Sequence, residues 1–174
     1  MIGAMSNERS HINRRELQAE PFHYKMCGLD DVFLLNGFTV EETDYGRGVS
    51  IHDALELHKT IGQHLILKKQ ALSPRAVRFL RWEMDLTQEE LAKRLGVTAQ
   101  TVARYEKGET DIPGPADKLL RFVYAMHLLT EKERKAVLDA LNAALSEDAD
   151  DRAPAPVYFG TTGSGEWDEA RRVL

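Results

Sequence analysis

Apolar and polar positions follow a short rhythm in the first third of the chain and a helical one afterwards. Val32-Phe33-Leu34-Leu35 is a compact apolar run that stops at Asn36-Gly37, a strong turn signal between two strand-like segments. Phe38 to Thr43 alternates, Asp44-Tyr45-Gly46-Arg47-Gly48 turns the chain again, and Val49-Ser50-Ile51 reads as a third strand. The pattern predicts a small three-stranded meander, which is not stable alone. From Asp53, a residue suited to cap a helix, Leu55, His58, Ile61, Gly62, Leu65 and Ile66 recur three and four apart. This helix is expected to cover the sheet.

A second helical pattern opens at Ser73-Pro74, serine as N-cap and proline at the first helical position. Val77, Leu80, Arg81 and Met84 share one face, with Phe79 and Trp82 beside it, and the helix ends near Asp85-Leu86. Thr87-Gln88-Glu89-Glu90 has the form of a capping box, in which hydroxyl and carboxylate each bond the other residue's backbone N–H. Leu91, Ala92 and Leu95 make the inner face of the next helix, which Gly96 ends by adopting a positive φ. Thr98 caps a following helix, Ala99 to about Glu106, anchored by Val102 and closed by Gly108. Two short helices joined by a glycine-centred turn, with small Ala92 where they cross, can project the second helix into a major groove. Thr130-Glu131-Lys132-Glu133 is another capping box, leading a helix with an apolar stripe of Val137, Leu138, Leu141 and Leu145. That stripe packs on the preceding helices or on a second subunit.

The boundaries that follow are a flexible polar arm over 1–21, a small α+β module over 22–72, a helical domain over 73–145 and an acidic flexible tail over 146–174. Val157-Tyr158-Phe159 and Trp167 interrupt the polarity of the tail, marking either a docking segment or a tail that folds back on its own domain. The net charge of -5 is unpromising for a nucleic-acid binder, since phosphate attraction supplies most non-specific affinity. Its distribution changes the picture. Residues 146–174 hold 3 basic and 7 acidic side chains, a balance of -4, whereas 73–145 hold 12 basic and 11 acidic, a balance of +1. Cys27, the single cysteine, cannot form an intramolecular disulfide and suits a reducing cytoplasm. No apolar run reaches the ~20 residues of a membrane span, and the first residues are too soon charged for a secretory signal.

The run Thr87-Gln88-Glu89-Glu90-Leu91-Ala92-Lys93-Arg94-Leu95-Gly96-Val97-Thr98-Ala99-Gln100-Thr101-Val102-Ala103-Arg104-Tyr105-Glu106-Lys107-Gly108 resembles the Cro/repressor-type (XRE) helix-turn-helix. Phe79 to Glu83 upstream and Ile112 to Arg121 downstream extend the likeness toward the DNA-binding half of MqsA-type antitoxins. Cys27 to Phe38 resembles, more weakly, the amino-terminal module found with such domains in bacterial regulators. The resemblance implies a mainly α fold, a five-helix lambda-repressor-like domain beside the α+β module. It implies that Gln100 and Arg104 read bases, that Gln88 meets a phosphate and that Thr98 and Thr101 sit near the backbone; the short Ala99 either touches a thymine methyl or merely makes room, and Lys107 and Arg94 are further candidates for phosphate contact. Glutamine pairs with adenine and arginine with guanine in the major groove, which fits. Against this, Gln88 and Gln100 could be ordinary solvated residues, and Arg104 could pair with Glu106 or Asp111. Tyr105 is expected in the core, and Glu106 as a residue orienting the loop before Gly108.

The expected function is a homodimeric, cytoplasmic transcriptional repressor or autoregulator on a palindromic operator, with a possible protein partner such as a toxin. The rival expectation is a protein-binding antagonist, a toxin neutraliser or anti-activator, that works without DNA. MqsA-type proteins carry zinc on paired cysteines, which one cysteine cannot reproduce, and His23, Cys27, His52 and His58 lack the spacing of a zinc site. Nothing near Cys27 resembles a nucleophile motif, and Gly46-Arg47-Gly48 is not a phosphate loop. No cofactor and no catalysis are expected.

Overall fold

The computed structural model of the chain describes residues 12, 18–68, 70–128, 130–146 and 155–170. It divides into two compact units, one built mainly of strands and one of helices.

The first unit includes residues up to Tyr24, Asp31–Leu57 and the chain from Pro156. Strands β1 (Phe22–His23), β2 (Val32–Leu34), β5 (Val157–Thr161) and β6 (Trp167–Glu169) form a four-stranded sheet in the order β1-β2-β5-β6. β2 lies antiparallel to β1 and parallel to β5, with Leu34 opposite Phe22 on one side and Phe159 on the other. Among the described residues β3 (Phe38–Thr43) and β4 (Gly46–Ile51) pair only with each other, in register from Phe38↔Ile51 to Thr43↔Gly46. The expected meander is therefore replaced by two sheets. The cause is at Asn36-Gly37. Asn36 is fully buried, accepts from Thr161 N–H at 2.5 Å and donates to Thr161 C=O at 3.1 Å, standing in for a ladder partner. Gly37 takes φ 72°, and a Cβ there would lie 2.6 Å from the Trp167 ring. The pair redirects the chain out of the sheet where the turn signal predicted a hairpin.

The segment 146–174, expected to be a flexible tail, contributes β5 and β6, with Phe159 and Trp167 among the buried residues of this unit. Its apolar alternation outweighs its acidic composition, and the Trp167 indole donates to His52 C=O at 2.7 Å. Residues 147–154, the centre of the expected linker, lie outside the described residues, as do most of the expected arm, 1–11 and 13–17. Ile12 forms an isolated bridge to Thr162.

The second unit takes Lys25–Asp30 and His58–Ala155. The division falls inside α1 (Ala54–Leu67), so that helix belongs from His58 onward with the helices and not with the 22–72 module expected from the sequence. Asp53 caps it, accepting from Glu56 N–H at 3.1 Å. Its buried side is Leu57, Ile61, Leu65 and Ile66; Leu55, expected on that stripe, is 84% exposed. α2 (Pro74–Glu83), α3 (Gln88–Leu95), α4 (Ala99–Lys107), α5 (Gly114–Leu128) and α6 (Glu131–Ser146) follow, so the described residues are mostly helical. Val77, Leu80, Met84, Leu91, Ala92, Val102, Leu120 and Tyr124 are buried in this unit. Of the stripe expected on α6, Leu138 is half-buried; the side chains of Val137, Leu141 and Leu145 lie outside the described ones.

The end of α1 is secured by charge. A helix leaves its last carbonyls without intrahelical donors, and here the buried Arg121 guanidinium on α5 serves them. It donates to the carbonyls of Leu65, Ile66 and Lys68 at 3.2, 3.0 and 2.6 Å, and to that of Gln70 at 2.7 Å. Asp117 balances its charge at 2.5 Å and accepts from Leu72 N–H at 2.7 Å.

Candidate nucleic-acid interface

Local chemistry fixes the α3–α4 corner. Thr87 accepts from Glu90 N–H at 3.2 Å while Glu90 accepts from Thr87 N–H at 2.8 Å, completing the capping box. The Thr87 backbone N–H and, at 2.8 Å, its hydroxyl both donate to the Glu90 carboxylate and hold that carboxyl below its usual range, because they favour the ionised form. Gly96 at φ 69° closes α3, and Thr98 opens α4 by accepting from Thr101 N–H at 3.1 Å. Gly108 at φ 73° closes α4 against Pro74 of α2.

The periodicity of α4 sorts its residues. Val102, Tyr105 and Glu106 point into the unit. Gln100, Arg104 and Lys107 are exposed; Ala99, Thr101 and Ala103 are half-buried. Gln100 and Arg104 are four residues apart, one turn of helix, and so share a face. Among the described residues neither side chain has a hydrogen-bond or ion-pair partner. The alternative pairing of Arg104 with Glu106 is not formed, because the Glu106 carboxylate faces inward.

There it meets Arg81 through two bonds, Nε to Oε1 at 2.5 Å and Nη2 to Oε2 at 3.0 Å. Arg81 also donates to Leu86 C=O at 2.8 Å, which holds the loop leading into α3. Glu106 thus ties α2, the α2–α3 loop and α4 together, a wider role than orienting the loop before Gly108. The sequence signal was available: an arginine on the apolar face of α2 and an acidic residue beside Tyr105 both invite a buried partner.

The expected phosphate-contact residues differ in freedom. Gln88 is half-buried and donates one amide N–H to Glu106 Oε2 at 2.9 Å, which orients the side chain and leaves its second N–H for another acceptor. The Thr98 and Thr101 hydroxyls bond each other at 2.9 Å at the start of α4. Lys107 lies 3.8 Å from Glu109 on the surface, and Arg94 is exposed on α3. Cys27 is buried. No helix among the described residues is long and apolar enough to cross a membrane.

Neither a curated protein nor a solved structure matches the chain. A family model does match residues 77–116, from the middle of α2 to the first turn of α5, and it contains the whole α3–α4 corner. That stretch is similar to helix-turn-helix domains of the XRE type, and the likeness makes a DNA-binding regulator the class of protein to which this chain is similar.

Proposed function

We propose that the chain is a sequence-specific transcriptional regulator that inserts α4 into the major groove of duplex DNA. The observation that carries this reading is the exposed pair Gln100 and Arg104, one turn apart and without internal partners among the described residues. Gln100 reads adenine through N6/N7 and Arg104 reads guanine through O6/N7, with Ala99 admitting a thymine methyl. Gln88, Thr98, Thr101, Lys107 and Arg94 set the register on phosphates. No catalytic step or cofactor is part of this function.

Two subunits act together on a palindromic operator, their α4 helices about 34 Å apart. Support for a second subunit comes from α5, where Leu119, Phe122 and Met126 stand 38%, 46% and 40% exposed at helical spacing. An antitoxin role is the narrower form of the same reading and adds a toxin as partner. A protein-only antagonist on this scaffold leaves the free pair on α4 without a purpose.

The test is selection of duplexes from a random pool by the full chain, followed by anisotropy titration. Arg104→Ala is expected to weaken the selected site by about 1–3 kcal/mol and to relax the preference at one base pair. Unchanged affinity in this variant refutes the assignment, and no binding to any duplex at low salt refutes the regulator.

A further inference from the structure

Glu106 is shared by more cations than it can neutralise. Arg81 takes both of its oxygens from inside, and the Arg78 guanidinium approaches from outside, with Nε 3.7 Å from Oε2 and Nη2 donating to Glu106 C=O at 3.4 Å. Two guanidiniums and one carboxylate leave the cluster with one positive charge. The side chains of Arg81 and Glu106 are 10% and 1% exposed and that of Arg78 is 43% exposed, so the surplus is presented at Arg78. Its position is restrained as well. The guanidinium carbon sits 5.9 Å from the centroid of the Trp82 ring, which is itself 57% exposed.

The cluster also faces a definite place. Gln88 Nε2 donates to Glu106 Oε2, the same oxygen that Arg78 Nε approaches, so Arg78 and Gln88 are neighbours across one atom. Gln88 opens α3, at the positive end of the helix dipole, where the first turn also carries Glu89 and the capping carboxylate of Glu90. A planar guanidinium with N–H groups to spare beside a helix start suits a phosphate oxygen, which arginine binds with defined geometry.

We infer that Arg78, steadied by Glu106 and Trp82, is a further contact to the DNA backbone, gripping a phosphate beside the one met by Gln88. The inference rests on the regulator reading. It assigns α2, outside the two helices of the corner, a direct part in binding, and gives Glu106 a second task, that of holding a cation it does not neutralise.

The experiment is an anisotropy titration of the full chain on a duplex selected by the unaltered protein and on an unrelated duplex, each at a series of salt concentrations. Arg78→Gln is expected to weaken binding to both duplexes alike and to make the slope of log K against log salt shallower by about 1. Arg78→Lys, which keeps the charge, is expected to restore the slope. A wild-type slope in Arg78→Gln overturns the inference while the regulator reading stands. So does a shallower slope that Arg78→Lys fails to restore, since the effect is then structural. If the unaltered chain binds neither duplex at low salt, both readings fall together.

Discussion

Arg81 on α2 and Glu106 near the end of α4 form a two-bond ion pair in the interior of the helical unit, their side chains 10% and 1% exposed. Removing Glu106 leaves Arg81 charged, desolvated and without an acidic partner. Glu106→Ala is expected to destabilise the chain by about 3–5 kcal/mol, whereas an apolar replacement of both residues at similar volume comes much closer to the original stability. Urea unfolding of the two single variants and the double variant checks this. Additive losses in the double variant contradict it.

Gly62 on α1 faces Tyr124 on α5 so closely that a Cβ at residue 62 would overlap the phenol oxygen and ring. Gly62→Ala therefore forces the two helices apart and should lower stability despite alanine's better helix propensity. The buried Tyr124 hydroxyl has no hydrogen-bond partner among the described residues, and burial raises its pKa. Tyr124→Phe removes a desolvated polar group and is expected to match or exceed the parent in thermal unfolding. A clear loss in Tyr124→Phe would reveal a bond made by that hydroxyl.

Glu133 accepts from Lys59 Nζ at 2.6 Å and from the backbone N–H of Thr130 at 2.7 Å, and these bonds, the Lys59 contact foremost, hold its pKa at about 2. A carboxyl depressed on folding stabilises the folded state above its unfolded pKa, and that contribution is lost as pH falls from about 4.5 toward 2. Its side chain is 34% exposed, so solvent screening limits the effect to no more than about 1 kcal/mol. Glu133→Gln should flatten the acid limb of the stability curve in that window and leave its shape above pH 6 unchanged. An unaltered acid limb counts against the assignment.

In the strand unit, β5 supplies the parallel neighbour of β2 and the Thr161 backbone groups that satisfy buried Asn36. Deleting residues 156–174 is expected to abolish amide-exchange protection over 32–51 while α2 to α5 keep theirs. Asn36→Ala should destabilise the unit by about 1–3 kcal/mol, because Thr161 loses both partners in a buried position. Retained protection after the deletion would mean that β2 is held by other contacts.

The features legible in the sequence were those settled within a few residues. The capping box at Thr87, the caps at Ser73 and Thr98, and the left-handed glycines at 96 and 108 depend on partners three to five positions away, so residue types and spacing suffice. The exposure of Gln100 and Arg104 followed from the period of α4 alone. What stayed hidden depends on remote partners. Asn36 looked like a hairpin turn because its bond to Thr161 spans 125 positions. Arg121 carried no local hint that it serves the end of α1, since its acceptors lie more than 50 residues upstream. Composition was misleading where seven acidic residues argued for a loose tail, because a few apolar positions, Phe159 and Trp167 above all, decide whether a strand is buried. Leu55 shows the limit of period itself: a helical stripe does not say which turn of the helix has a neighbour.

The parallel pairing of β2 with β5 also sets an order of events on the ribosome. Residues 32–34 are made early, yet their partners at 157–159 emerge only after all the helices have been synthesised. At roughly 5–20 residues per second this is a wait on the order of ten seconds, during which Leu34 has no completed sheet to enter. The helices, whose bonds are mostly between near neighbours, can form within that interval. The nascent strands are thus the part of the polypeptide most in need of chaperone protection.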